Sequence, residues 1–380
     1  MLERILKERI ERAQKLLPED VDGRIVLSRE VSSRSVTDPN IEYLLGSKNI
    51  APAFALVTKD QAIGVVHEMD SGMFEAFKEV GELKSYRKYD DFLSLLKESI
   101  KDKILLADFV ELTDERKAFS YLDSLTAGMK ELLSRYAQLR SASDYIIKLR
   151  GVKTPAEIDA LRKAASYARK IAEEIPSFIH DGMTELELAS KIYSEIRLYG
   201  EPSFPVIVAF LENTANPHHH PGNKRLDRKG PILVDFGVRY ESMCSDTTRM
   251  YYRGTPDEEF LIVLETVYGA KEAAEKEIRP GKKGKEIHEV AVEYLRERGY
   301  AEYFIHSLGH PLGLETHDIG VGLNPREERE LEVNNVVTVE PGVYLRRPKN
   351  AFGVRLEDDV VVKEDGVEKL IHVPPTAIIV

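Results

Sequence analysis

Two pairs of carboxylates stand in stretches where a charge is expensive to bury. Asp235 lies inside the apolar run Ile232-Leu-Val-Asp-Phe-Gly-Val238, and Asp246 lies in the extended stretch Cys244-Ser-Asp-Thr-Thr-Arg249. A turn centred on Tyr240-Glu241 sets the two aspartates directly opposite, with Cβ atoms about 4.5–5.5 Å apart. Glu340 and Glu357 repeat the pattern. Val336-Val-Thr-Val-Glu340 runs into Pro341-Gly342, Gly353-Val-Arg-Leu-Glu357 follows a turn near Pro348-Lys349, and the two glutamates are equidistant from that turn. A bulge would slip either register by one residue. A buried charge needs a partner, and four converging carboxylates, with a formal charge of about −4, call for two divalent cations.

The histidines fit the same chemistry. Ser307-Leu-Gly-His310-Pro-Leu-Gly313 lies between the two carboxylates of the first pair and those of the second, after a strand-like segment at Tyr303–His306. His306 precedes His310 by four positions and His317 follows it by seven. One imidazole with four carboxylates is a hard-to-borderline donor set, suited to Mn, Co, Fe or Zn rather than to copper or a thiolate-type zinc site. Pro217-His218-His-His220-Pro221 reads as a loop that could reach the same cleft, against the plainer reading of a surface histidine cluster.

The elements that must position these residues read as a duplication. Thr154-Pro-Ala-Glu157 is a capping box with Pro at the first helical position, opening a helix to about Glu174 that stops before Pro176. Thr184-Glu-Leu-Glu187 opens a second helix ending near Gly200. Strands follow. Thr255-Pro-Asp-Glu258 repeats the first box 101 residues later, with a helix to about Ile278, a second over about Gly284–Glu297, and strands again. The order helix, helix, strands, hairpin therefore occurs twice, and folding the repeats together brings the two carboxylate hairpins around a pseudo-twofold axis.

Residues 1–148 read as a separate, smaller α/β domain. Leu2, Ile5, Ile10, Ala13 and Leu17 have helical spacing, and Gly23–Leu27, Ala53–Val57, Ala62–Val66 and Ile104–Phe109 read as strands, with a hairpin turn at Thr58-Lys-Asp-Gln61. Helical spacing recurs near Met73–Val80, Asp91–Ile100 and Glu115–Ala137. This part contains no His, Asp, Glu or Cys cluster with ligand spacing.

Composition sets the frame. The 380 residues are 42% hydrophobic and 31% charged with a formal net charge of −11, an ordinary globular balance. An acidic chain lacks the basic footprint of a nucleic-acid or membrane-surface binder. No apolar run of the roughly 18 residues needed to span a bilayer occurs, and the charged N-terminus does not resemble a secretion signal. A single cysteine, Cys244, forbids an internal disulfide and fits a reducing, cytoplasmic setting. Beside Asp246 it reads as a small strand residue rather than a reactive thiol.

These residues resemble the motifs of the pita-bread metallopeptidases, the family of prolidase, aminopeptidase P and methionine aminopeptidase. The resemblance covers about residues 150–370, and the N-terminal domain is similar in size and placement to that of prolidase and aminopeptidase P. It implies an α+β fold, a pita-bread catalytic domain over 149–380 with internal pseudo-twofold duplication, preceded by the α/β domain over 1–148. By resemblance Asp235 chelates one metal, His310 and Glu340 hold the other, and Asp246 and Glu357 bridge both. Mn or Co are the expected metals, with Fe or Zn compatible. His306-Ser-Leu-Gly-His310-Pro-Leu-Gly-Leu-Glu-Thr-His317-Asp318 resembles the proline-peptidase motif. His218, His306 and His317 match substrate-contacting histidines, Arg355 an arginine lining the site, and Glu340 is the expected proton shuttle.

The implied activity is metal-dependent hydrolysis of the bond before proline in Xaa-Pro dipeptides, in a homodimer. The alternatives are an aminopeptidase P acting on longer Xaa-Pro peptides and, in another class, a non-hydrolytic pita-bread scaffold or the metal-free creatine-type amidinohydrolases. Three departures bear on substrate preference: Thr316 where Val or Ile is usual, Phe210-Leu-Glu-Asn-Thr without a Ser-Gly pair, and Glu332-Val-Asn-Asn335 in place of a Pro-Gly turn. None removes a ligand.

Overall fold

The apolar runs of the first 150 residues assemble into one six-stranded sheet. In the computed structural model, which describes residues 1–28, 38–110, 125–372 and 377–380, the chain divides into two units, Met1–Arg150 with Thr154–Ala156 and Gly151–Lys153 with Glu157–Val380. In the first unit the strands are β1 (Gly23–Ser28), β2 (Ala53–Thr58), β3 (Ala62–His67), β4 (Glu82–Tyr86), β5 (Ile104–Ala107) and β6 (Gln138–Ser141), in the order β4-β3-β2-β1-β5-β6. The helices are α1 (Leu2–Leu16), α2 (Pro39–Leu45), α3 (Tyr89–Ile100), α4 (Ala127–Ser134) and α5 (Ser143–Gly151). The Thr58–Gln61 turn closes with Thr58 N–H donating to Gln61 O at 2.9 Å.

Three features of this unit depart from the sequence reading or complete it. The segment near Met73–Val80 is a 3₁₀ helix over Ser71–Glu79, with Phe74 non-helical inside it. Of the helix expected over Glu115–Ala137, residues 115–124 lie outside the described residues, and the remainder is α4, capped by Thr126 Oγ1 accepting from Met129 N–H. Among its buried charges is Arg24, whose guanidinium meets Asp108 at 3.0 Å while Asn40 donates to the same carboxylate at 2.9 Å. This pair is compensated inside its own unit.

The second unit opens with α6 (Pro155–Phe178) and α7 (Glu185–Ile196). Pro155 stands at the first helical position, as the sequence predicts. The expected stop before Pro176 is not observed; the helix runs two residues past it. Pro lacks the N–H that would pair with the carbonyl four residues earlier. That carbonyl, Ala172 O, instead accepts the Tyr251 hydroxyl at 2.9 Å, so the proline leaves no unsatisfied acceptor. The Thr184–Glu187 capping box is complete in both directions.

The second repeat begins differently. The helix α8 (Glu258–Glu277) has Asp257 at its N-cap with no side-chain cap bond, so Thr255 does not open it. The Asp257 carboxylate instead binds Lys229 at 2.7 Å and the Tyr252 hydroxyl at 2.9 Å. The helix α9 (Gly284–Arg296) follows, and a 3₁₀ turn at Ala301–Tyr303 replaces the strand expected at Tyr303–His306.

The strands of this unit are β7 (Glu201–Pro202), β8 (Ile207–Phe210), β9 (Gly230–Phe236), β10 (Val238–Tyr240), β11 (Met243–Cys244), β12 (Thr247–Arg253), β13 (Val336–Val339), β14 (Gly342–Leu345), β15 (Phe352–Arg355), β16 (Asp358–Lys363), β17 (Gly366–Lys369) and β18 (Ile378–Ile379). They form sheets β18-β12-β9-β8, β11-β10-β7, β13-β16-β17 and β14-β15. Two apolar cores flank them. Ile232, Val234, Phe236 and Tyr251 pack with α6 and α7. Leu233, Met250 and Tyr252 share a core with α8, α9 and the strands of the second half. Side chains alternate across a strand, so Asp235 falls on the Leu233 face, toward the second half. On β13 and β16, Val337, Val339, Val360 and Val362 face α8 and α9, which turns Thr338, Glu340, Glu357 and Asp359 the other way.

The two registers fall out differently. Gly342 pairs with Arg355 and Val339 with Asp358, so one unbroken register carries Glu340 and Glu357 to facing positions. In the first hairpin Asp235 pairs with Thr248, not Asp246. Tyr240 pairs with Met243, so the turn residues are Glu241 and Ser242, both at positive φ (47° and 64°). Positive φ at both central residues is the conformation that suits a two-residue hairpin. The register carries Asp246 opposite Gly237, whose added Cβ would lie 1.8 Å from Ser245 O. Asp235 and Asp246 are thereby diagonal neighbours on one face. No described helix is long and apolar enough to cross a membrane.

Gly309 is packed as closely, with an added Cβ 1.9 Å from Thr338 O. Gly309→Ala is expected to destabilise by about 1–3 kcal/mol, lowering the thermal midpoint measured by calorimetry by several degrees. Gly128→Ala, in α4 with nothing within 4 Å, is expected to leave it unchanged or raise it slightly. Equal midpoints for Gly309→Ala and the unsubstituted chain would contradict the packing argument.

Candidate metal centre

The segment Leu308–Pro311 adds to the edge of β13. Glu340 N–H donates to Leu308 O at 2.8 Å and Thr338 N–H to His310 O at 3.0 Å, and His310 N–H reaches Thr338 Oγ1 at 3.1 Å. The close approach of Gly309 makes this pairing possible, and it sets His310 beside Glu340. His310 Nε2 lies 3.5 Å from Glu340 Oε1 and 3.6 Å from Asp246 Oδ2. Asp246, His310 and Glu357 present ligand atoms all within 4.8 Å of one another. Asp235 lies outside that trio, with its Oδ2 held by Arg355 Nη2 at 2.5 Å.

Arg355 joins the two halves. Its Nε donates to Thr248 Oγ1 at 2.9 Å, and its Nη1 to the Tyr344 hydroxyl at 3.0 Å and to Pro217 O at 3.2 Å. Thr248 Oγ1 donates in turn to Glu357 Oε2 at 2.7 Å. Asp359 Oδ2 accepts Asp246 N–H at 3.0 Å. His306 Nδ1 donates to Ser307 O at 2.7 Å, which leaves Nε2 to accept the Tyr344 hydroxyl at 2.9 Å. His317 stacks on His310, ring centroids 3.8 Å apart and planes 14° apart. His218 is exposed on its loop, next to Pro217, whose carbonyl Arg355 holds at 3.2 Å. His219 turns away to Glu185 at 2.8 Å.

Burial dominates the electrostatics. Asp235, Asp246, Glu357 and Arg355 are all buried. Burial, then repulsion from Glu357 and Asp235, holds Asp246 well above the usual carboxylate range. Glu357 is raised the same way, with Glu340 and Asp235 as its repelling neighbours. Burial, opposed by Arg355, pushes Glu340 up to about 8. Burial raises Asp235 despite Arg355. It lowers His310 to about 3 and His306 to about 4, so both rings are neutral at physiological pH.

These residues fit divalent cations on two observations. His310 Nδ1 faces Pro311 O at 3.2 Å, so the proton sits on Nδ1 and the Nε2 lone pair points at two carboxylates. Asp235 Oδ1 is buried with no hydrogen-bond donor among the described residues. Acceptors facing acceptors require a cation or a proton between them. Asp235, Asp246, His310, Glu340 and Glu357 are the residues that could hold one or more ions. Sequence reasoning passed over Tyr344, Thr248 and Thr338. Their hydroxyls link the charged groups, and their one signal was the alternation that puts them on the same strand face as the carboxylates.

The raised carboxyls fix a sign. In the unfolded chain they ionise near the ordinary 4.5 of a glutamate, so above pH 6.5 the native state holds more protons than the unfolded one, and stability falls as pH rises toward 8. The lowered histidines work oppositely only below their ordinary 6.5. Chelator-treated protein is expected to lose thermal midpoint steadily between pH 6.5 and 8, and manganese to flatten that slope. A slope unaffected by metal would count against the site.

Residues 159–364 match the model of metallopeptidase family M24. Over 369 residues the chain is 31% identical to the Xaa-Pro dipeptidase of Pyrococcus furiosus, covering 96% of this chain and 98% of that one. Among solved structures, an X-Pro aminopeptidase from Thermotoga maritima MSB8 aligns with a TM-score of 0.82 at 30% identity, over 97% of this chain and all of that one (100%). An Xaa-Pro dipeptidase from Bacillus anthracis aligns with a TM-score of 0.82 at 29% identity, over 99% and 100% of the two chains.

Proposed function

The chain belongs to metallopeptidase family M24, and we propose that within it this protein hydrolyses the peptide bond before proline in Xaa-Pro dipeptides. Its second unit has the pita-bread fold of that family. The observation that carries the reading is the convergence of one neutral imidazole, His310, with the buried carboxylates of Asp246 and Glu357 and the half-buried carboxylate of Glu340.

In this reading Asp235 would hold one divalent ion, His310 and Glu340 a second, and Asp246 and Glu357 would serve both. The oxygen-rich set favours manganese or cobalt, with iron or zinc compatible. What such ions supply when bound is Lewis acidity at the scissile carbonyl and a lowered pKa for water. The chain's own groups do the rest. Glu340, with one carboxylate oxygen to spare beyond metal binding, can take the proton released by the attacking water and deliver it to the leaving proline nitrogen. His317 donates a hydrogen bond to the developing oxyanion. His306, kept neutral by burial and oriented by Tyr344 and Ser307, and His218 position the peptide around the proline ring. Arg355 holds Asp235, Tyr344 and the Pro217 carbonyl in one geometry. A proline amide has no N–H to donate, so recognition falls on groups that contact the ring and the carbonyl. A homodimer and a cytoplasmic setting belong to the same reading through the family resemblance.

The second reading is release of the N-terminal residue from longer Xaa-Pro peptides, which the same fold serves: the X-Pro aminopeptidase from Thermotoga maritima and the Xaa-Pro dipeptidase from Bacillus anthracis align equally well, each with a TM-score of 0.82. Chelator-stripped protein assayed against Ala-Pro and Ala-Pro-Ala, with Mn, Co, Fe and Zn restored singly, separates the two. Metal-restored cleavage of Ala-Pro in preference to Ala-Pro-Ala is expected. The reverse preference would favour the aminopeptidase reading, and cleavage of neither by metal-loaded protein would contradict both.

A further inference from the structure

Glu185 is the first residue of α7 and is fully buried, an unusual place for a carboxylate that belongs to neither metal set. Its two oxygens accept four hydrogen bonds. Oε1 takes Phe210 N–H at 2.8 Å and Asn213 Nδ2 at 2.9 Å. Oε2 takes His219 Nε2 at 2.8 Å and Gly222 N–H at 3.0 Å. These donors come from the end of β8, the 3₁₀ turn after it (Leu211–Ala215), the histidine loop and the point where that loop returns. The backbone of 222–224 also pairs with the start of α7: Glu185 N–H donates to Lys224 O at 3.1 Å and Leu186 N–H to Gly222 O at 3.2 Å. One carboxylate thus ties both ends of the loop that carries His218, and it grips the residue next to His218. On its other side, the loop is held by Arg355 on Pro217 O and by Arg346 on Ala215 O at 3.1 Å.

We propose that Glu185 is a positioning residue of the active site, whose buried carboxylate sets the loop from Leu211 to Gly222 and so aims His218 at the bound peptide. The inference rests on the reading of His218 as a substrate-contacting group. A carboxylate that only stabilised the fold would serve equally with or without His218. One that acts through His218 loses its effect when His218 is gone.

Glu185→Gln keeps the volume and an acceptor for Phe210 and Asn213, and sets an NH₂ group against Gly222 N–H. His219→Ala removes one of the four bonds from the loop side, at a side chain 18% exposed, and leaves the buried carboxylate and its other three donors in place. Each is made alone and in a His218→Ala background, in the manganese-loaded full chain, with kcat and KM for Ala-Pro and bound metal measured. Glu185→Gln is expected to lower kcat/KM about tenfold to a hundredfold with metal content unchanged, and less than about threefold once His218 is alanine. His219→Ala is expected to show a smaller loss with the same dependence. Equal losses in the two backgrounds, no loss from either variant, or loss of bound metal would each overturn the role of Glu185. An unsubstituted chain inactive on every Xaa-Pro substrate would instead overturn the functional reading, and this inference with it.

Discussion

Four carboxylates and one imidazole, withdrawn from water and set within a few ångströms of one another, cannot all carry their ordinary charges. Taking each ion out of water costs on the order of several kcal/mol, and their mutual repulsion adds to it. Asp246 and Glu357 are accordingly held well above the usual carboxylate range, while His310 is neutral and offers no positive charge. The guanidinium of Arg355 offsets part of the sum, and it is committed to Asp235. What remains is a deficit of positive charge at the point where the two hairpins meet. Divalent cations are the economical answer, and the duplicated architecture of the second unit is the frame that holds the donors close enough to bind them.

That frame separates two electrostatic problems along a single strand. At the start of β16, Asp359 faces the centre and fixes the backbone of Asp246. Its neighbour Asp358 points the other way, into a buried cluster with Lys271 at 2.6 Å, and Lys271 also meets Glu275 at 2.8 Å. Those carboxylates raise Lys271 in spite of its burial, so this cluster is balanced by protein charge alone. The same division recurs in the first unit, where Arg24 and Asp108 compensate each other. Where the four hairpin carboxylates sit, protein cations fall short: Arg355 is committed to Asp235 and His310 is neutral.

Much of this was legible in the sequence, for a physical reason. A carboxylate in the middle of an apolar strand-like run is costly, so Asp235, Asp246, Glu340 and Glu357 stand out one by one, and their recurrence in two repeats links them. The Glu340–Glu357 register was readable because Pro348-Lys349 marks its turn. The first register was not, because Glu241 and Ser242 adopt positive φ without glycine or asparagine to announce it, and the hairpin shifted so that Asp235 meets Thr248. Pro176 reads as a helix stop until the Tyr251 hydroxyl is seen to take the freed carbonyl, a contact from a distant strand. Glu185 looks like a first-turn acid favoured by the helix dipole. Its burial, and the four donors that converge on it, exist only in three dimensions.

The account turns on whether this constellation binds two divalent ions as a unit. Equilibrium dialysis of chelator-treated protein against manganese, with metal counted per chain by elemental analysis, addresses that directly. About two ions per chain are expected for the unsubstituted protein, falling to one or none in Glu357→Gln, because that residue is assigned to both ions. Retention of no more metal than a protein without such a site, or two ions still bound by Glu357→Gln, would contradict the central claim.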